Sequence, residues 1–327
     1  MATFVWGMSK LTPLAINSQF QIFVTVFLGI FIEALPFLLI GSIISGFIEE
    51  FIDRGTLLRL IPNNPFAAAL IGSLMGFAFP VCECGVVPVT RRLYGKGLPL
   101  PVGISFLLAA PAMNPIALAA TYTAFGWGPI LIGRFWGTLL IAFVIGLIFT
   151  LLKPDDILRP AAIQPTQMYL SSPPVELAED EQGESAKEDY VSGNGRWPRA
   201  LAIGGNDFLD MARYLIIGSM LAAAMQTIVP QSNLIALGNG TFLSVITLML
   251  LAFILSICST VDSFVALSFV NSFTTGSILS FLVFGPMVDI KSALLFLGVF
   301  RRRIVALLIV LPLLLTFLLG LIVNLYG

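Results

Sequence analysis

Apolar residues in this chain come in long blocks separated by short polar interruptions. Eight such runs lie near 20–48, 66–89, 101–124, 128–152, 208–229, 241–270, 277–298 and 304–325. Each approaches or exceeds the roughly 20 residues that carry a helix across a bilayer. The pattern predicts an all-α polytopic membrane protein with about eight hydrophobic segments. One stretch is different. Residues 171–195, SSPPVELAEDEQGESAKEDYVSGNG, hold seven acids from Glu176 to Asp189 against the single Lys187. Such a composition buries too little apolar surface to offset the entropy of ordering, so a disordered, solvated tether is expected. The chain therefore divides into a first membrane unit (1–153), an acidic linker (154–203) and a second membrane unit (204–327).

The two units resemble each other. Residues 32–48, IEALPFLLIGSIISGFI, align with 209–225, LDMARYLIIGSMLAAAM, placing Glu33 opposite Asp210. Residues 104–118, ISFLLAAPAMNPIAL, align with 279–293, LSFLVFGPMVDIKSA, placing Ser105, Pro111 and Asn114 opposite Ser280, Pro286 and Asp289. Between these anchors Cys82 of FPVCECGVVP (79–88) stands opposite Cys258 of LSICSTVDSF (255–264). Three matches in register argue for internal duplication.

Proline punctuates the matched segments: Pro80 and Pro88 bracket one, Pro111 and Pro115 the next. Each proline removes a backbone donor and frees a carbonyl, which hydrocarbon cannot satisfy, so Pro-broken or re-entrant helices facing protein or a wet cavity are expected. Repeats with broken apolar segments at matching positions point to a secondary transporter, whose solute binds near the bilayer midplane. Ionisable residues fall in the same places. Glu83, Asp262, Asp289 and Lys291 lie within apolar runs, and Glu33 and Asp210 lie nearer helix starts. A charge at a helix centre costs about 2.5–3.5 kcal/mol on insertion scales, so it needs an aqueous path or a partner. Glu83, between two thiols, suits proton relay. Asp289 and Lys291 can pair where Pro286 breaks the helix, and Asp210 with Arg213 reads as an i,i+3 interfacial pair.

Composition sharpens this picture. Of 327 residues 57% are apolar and 11% charged, and the mean hydropathy is +0.97, which excludes a soluble globular domain. Three Cys and no His remove the disulfide-stapled scaffold and any imidazole ligand for haem or zinc, so no cofactor is expected. The N-terminus lacks the basic region and cleavage site of a signal peptide, and the first run is expected to stay as a helix. No phosphate-cradling G-x-x-x-x-G-K-[ST] loop occurs, so transport should be secondary, with proton coupling or simple facilitation. This is a transporter composition and not an enzyme's.

FPVCECGVVP, LLAAPAMNP and CSTVDSF together resemble the bacterial predicted-permease family that includes the organoarsenical exporter ArsP, over nearly the whole chain outside the linker. The resemblance implies a multi-pass permease of the inner (plasma) membrane, some members of which expel trivalent organoarsenicals such as methylarsenite. Carried over by position, Cys82, Cys84, Asn114, Cys258 and Asp262 are its candidate site residues. The chemistry agrees: trivalent arsenic is soft and binds thiolate. The expected substrate-binding set is Cys82, Cys84, Cys258 and Asn114, with Glu83, Asp262 and Asp289 as proton carriers and no metal site. If Cys258 is only a small buried hydrophobe, the C-x-C pair stands alone. The expected partners are a soft metalloid or thiol-reactive solute, the lipid bilayer and at most further copies of the chain, not nucleic acid. The alternative is a transmembrane thiol–disulfide electron conduit using the C-x-C pair.

Orientation carries a conflict. Under eight full spans Arg91, Arg92, Lys96 and Lys153 share one side with the linker and both termini, which the positive-inside rule makes cytoplasmic, while Arg301, Arg302 and Arg303 fall opposite. Re-entry of the Pro111 and Pro286 segments would leave three crossings per unit and invert the halves, and the triple arginine would still oppose Arg91.

Overall fold

The computed structural model describes residues 2–51, 55, 62, 64–79, 81–152, 196–228 and 240–326, with side chains from residue 19 onward except Thr241. Lys153, Pro80 and the linker residues 154–195 lie outside the described residues. Twelve α-helices are present among them. The first six are α1 (Ala2–Phe51), α2 (Pro65–Ala78), α3 (Glu83–Gly95), α4 (Leu100–Met113), α5 (Pro115–Phe125) and α6 (Pro129–Ile148). The second six are α7 (Arg196–Ile228), α8 (Thr241–Leu255), α9 (Asp262–Leu267), α10 (Thr275–Met287), α11 (Ile290–Val299) and α12 (Arg302–Tyr326).

Among the described residues six stretches are long and apolar enough to cross a membrane: Gln19–Phe51, Leu100–Phe125, Pro129–Leu151, Arg196–Ile228, Thr275–Val299 and Arg302–Tyr326. Of the eight expected hydrophobic segments, six are thus of spanning length. The other two runs, 66–89 and 241–270, are each split into short helices, α2 with α3 and α8 with α9. Packing registers show the direction of each piece. A Cβ on Gly72 would meet Val102 and one on Gly76 would meet Ala109 and Ala110, so α2 and α4 run parallel. The intervening α3 must therefore run back, and 65–95 is a hairpin that starts and finishes at one end of the bundle. In the second unit Ser244 Oγ lies 2.7 Å from Ser277 Oγ, and a Cβ on Gly285 would meet Ala252, so α8 and α10 are parallel in the same way. The segments that fold back are thus the thiol-bearing ones. Pro111 and Pro286 lie inside α4 and α10, within stretches of spanning length.

α6 returns antiparallel beside α4, with Gly146 against Pro101 and Ser105 and Arg134 Nε 2.9 Å from the Ala112 carbonyl. α12 treats α10 likewise, Ser280 Oγ donating to Thr316 O at 3.3 Å while Gly276 packs on Gly320 and Asn324. The first helices of the two units cross antiparallel. Trp197 packs edge-on to Phe47 and Phe51, Gly204 against Ser42, and Ala222 clusters with Ile30. These contacts also explain why residues 196–203, expected as linker, are helical: Trp197 and the buried Ala200 are anchored on α1.

Candidate functional site

Four helices begin at chain breaks inside the bundle, and each break carries chemistry. Cys82 is extended (φ −81°, ψ 174°) and opens α3, its carbonyl accepting from the amides of Gly85 and Val86 at 3.1 and 3.0 Å. α3 lies backbone to backbone on α1, because a side chain at Gly41 would strike Gly85. That contact fixes the depth of Cys82, Glu83 and Cys84, all buried.

The matching break in the second unit turns at Ser256, the one non-glycine residue with positive φ among those described (φ 48°). A side chain in the left-handed region is uncommon and needs support. Ser256 Oγ accepts the amide of Ile290 at 3.2 Å, tying this break to the first residue of α11. Cys258 follows, buried in the same core cluster as Cys82 and Cys84. All three thiols are free. They form no cage: among the described residues no group of three or more Cys, Asp or Glu could hold a metal ion.

At the start of α11, Asp289 is the N-cap. Its Oδ1 accepts the Ser292 amide at 2.6 Å, while Ser292 Oγ accepts the Asp289 amide at 2.8 Å, a reciprocal capping box. Lys291 Nζ lies 3.1 Å from Glu83 Oε1 and 3.5 Å from Asp289 Oδ2. All three side chains are buried, and neither Glu83 Oε2 nor Asp289 Oδ2 has a hydrogen-bond donor. The expected Asp289–Lys291 pairing is present, and it gains a second carboxylate from the other unit.

Asn114 is the N-cap of α5. Its Oδ1 accepts the Ala117 amide at 2.8 Å, and its Nδ2 donates to the carbonyls of Ala110 and Pro111, each at 3.2 Å. The Pro111 carbonyl would pair with residue 115 in an unbroken helix, but Pro115 has no N–H. Asn114 thus repairs the break with its own amide.

Asp262, opening α9, is held away from solvent by Arg134. The guanidinium reaches both carboxylate oxygens at 3.0 Å, Thr121 Oγ1 and Ser263 Oγ at 3.0 Å, and the carbonyls of Ala112 and Ser259 at 2.9 and 3.2 Å. Every donor of this wholly buried arginine is used. Arg134 was not singled out from sequence, although it is the sole charge in the run 128–152 and the cost of intramembrane charge marks it. Asp207 was missed too. It lies just before the run at 208, is buried, and binds Arg92 through two contacts of 2.6 and 2.8 Å and Ser45 Oγ at 2.7 Å. Asp210 pairs with Arg213 as expected and also lies 3.8 Å from Arg91.

Spanning helices gathered around broken half-helices with buried charge define a multi-pass protein of the plasma membrane, of the permease class. The chain belongs to the predicted-permease family, whose sequence pattern matches residues 19–325. It is similar to UPF0718 protein YcgR of Bacillus subtilis, at 41% identity over 302 residues, covering 90% of this chain and 94% of that protein. A Streptococcus mutans protein named as a two-component membrane permease complex subunit is 36% identical over 282 residues, 86% of this chain and 87% of its own length. UPF0718 protein YraQ of Escherichia coli matches at 27% over 89 residues, about a quarter of each chain. No solved structure matches.

Proposed function

We propose that this chain is a secondary permease that exports a small thiophilic solute, such as a trivalent organoarsenical, through a site at the broken helices. The observation that carries the reading is the 3.1 Å contact of Glu83, flanked by Cys82 and Cys84, with Lys291 beside Asp289, with Cys258 buried in the same core cluster as the other two thiols. Thiols supply soft ligands that exchange, as a carrier needs, and Glu83 and Asp289 supply carboxylates for proton coupling. Asn114 shapes the site through the backbone it repairs. Asp262 acts as a proton carrier in any state that opens its pair with Arg134, and otherwise locks α9 to α6.

The two units are best read as a duplicated, inverted pair, residues 1–153 and 196–327, joined by the acidic linker. Support comes from the common order of helices, the two thiol-bearing hairpins and the antiparallel crossing of α1 with α7. This topology removes the orientation conflict. With the hairpins turning back, Arg91, Arg92, Lys96, Arg196 and Arg199 share one end of the bundle with Arg301, Arg302 and Arg303; Tyr94 stacking edge-on to Phe300 joins the two sets. Among the described side chains the opposite end has no Lys or Arg. The positive-inside rule then puts the arginine-rich end, with the linker, in the cytoplasm. By analogy with the Streptococcus mutans relative's name, a second protein component joins the permease in the membrane. The electron-conduit alternative finds no support among the relatives.

Everted vesicles test the reading. Uptake of methylarsenite, arsenite and an unrelated soft metal is measured for the native chain, Cys82→Ser and Cys84→Ser. Uptake of a soft solute by the native chain that falls at least tenfold in both variants, about 1.4 kcal/mol of transport barrier, is the expected result. Equal rates with and without the thiols would remove them from the pathway.

A further inference from the structure

The cluster around Lys291 sets one ammonium against two carboxyl groups, and that imbalance bears on what the neighbouring thiols can receive. A single ammonium serves two carboxylates, at 3.1 Å from Glu83 and 3.5 Å from Asp289. Glu83 is 3% exposed and Asp289 1%, yet Glu83 Oε2 has no hydrogen-bond donor and Asp289 Oδ2 has only the longer ion-pair contact with Lys291. A buried acceptor left unsatisfied keeps its full desolvation cost, which is larger when the group is charged. Two such atoms on opposite units, beside three free thiols, are poised for a donor brought from outside the protein.

Other charges nearby do not restore the balance. Arg134 and Asp262 neutralise each other with all their hydrogen bonds made. One amide at the start of each of α11 and α5, of Ser292 and of Ala117, is taken up by Asp289 Oδ1 and Asn114 Oδ1. The N-terminus of α3 has no side-chain cap and offers about half a positive charge, which is less than a second cation would supply.

We propose that Glu83, Asp289 and Lys291 form a charge filter beside the thiols, so that the site takes a small thiol-reactive solute presenting a positive charge or a hydrogen-bond donor and rejects an anionic one. This deepens the permease reading and rests on its thiols. The solute's soft atom meets Cys82, Cys84 or Cys258 while its donor faces Glu83 Oε2 and Asp289 Oδ2.

Three methanethiosulfonates that share one reactive group and differ in charge provide the test: 2-aminoethyl (cationic), methyl (neutral) and 2-sulfonatoethyl (anionic). In each case a cysteine thiolate attacks the sulfenyl sulfur, a mixed disulfide forms, and methanesulfinate leaves with the bonding pair, so the reagent is itself the oxidant and no other is needed. The full chain is labelled in detergent, which prevents membrane permeability from ranking the reagents. Rates at Cys82 with Cys84 and at Cys258 are read by peptide mass spectrometry and divided by each reagent's rate with 2-mercaptoethanol. In the native protein the cation is expected to react at least tenfold faster than the anion, with the neutral reagent between them. Glu83→Gln or Asp289→Asn should narrow that ratio at least threefold, and Lys291→Gln should widen it. Equal normalised rates for the three reagents in the native chain overturn the filter, whether or not the variants fold. Failure of even the neutral reagent to label any of the three thiols overturns the permease site itself, and the filter with it.

Discussion

Two buried charge sites link the halves of this protein, and they are built on opposite plans. Arg134 and Asp262 are matched one to one, with both carboxylate oxygens and every guanidinium nitrogen engaged. Around Lys291 one cation faces two carboxyl groups, and two of their oxygens remain without a hydrogen bond. The first arrangement has nothing left to offer a solute. Its removal leaves an uncompensated charge in a dry interior. The second is kept incomplete beside three thiols. A saturated buried pair reads as a lock, and an unsaturated one as a working site.

The contrast can be broken by mutation, and the largest effect is expected at the lock. Arg134→Met strands Asp262 and should cost about 3–5 kcal/mol, seen as lost yield or a much lower melting temperature in detergent. Adding Asp262→Asn to that variant should recover much of the loss; no recovery would show that the arginine's carbonyl contacts matter more than the ion pair. Next comes the thiol site, where Cys82→Ser should reduce methylarsenite uptake at least tenfold, about 1.4 kcal/mol, with the melting temperature little changed. Glu83→Gln should separate the two roles most cleanly. It keeps a partner for Lys291 and should shift stability by only about 1 kcal/mol while uphill transport falls severalfold. Asp262→Asn should do the reverse, destabilising the fold more than it slows export per folded molecule. The smallest effect is expected at Cys258→Ser, roughly a twofold to fivefold loss of uptake, because the C-x-C pair keeps two of the three soft ligands.

Part of this organisation was legible in the chain. The apolar blocks and the helix breaks at Asn114 and Asp289 follow from hydropathy and proline placement. What escaped was direction. A run such as 66–89 counts enough residues to span, and proline with an extended Cys82 marks a bend, but only the parallel packing of Gly72 and Gly76 on α4 shows that the chain turns back. The orientation conflict over Arg301–Arg303 arose from that single ambiguity. Partners distant in sequence were equally hidden: Lys291 finds Glu83 across 208 positions, and Asp262 finds Arg134 across 128. Asn114 shows a different limit. Its residue type fits a polar ligand, yet the missing N–H of Pro115 gives its amide a structural task.

The central claim is that a soft solute binds where the thiols of both units meet, and substrate protection tests it most directly. Methyl methanethiosulfonate labelling in everted vesicles, followed separately at the Cys82–Cys84 peptide and at Cys258, is compared with and without methylarsenite. The account predicts that the solute slows labelling in parallel at both peptides. Unchanged rates at both, or protection of the first peptide with Cys258 untouched, would contradict a shared site between the halves.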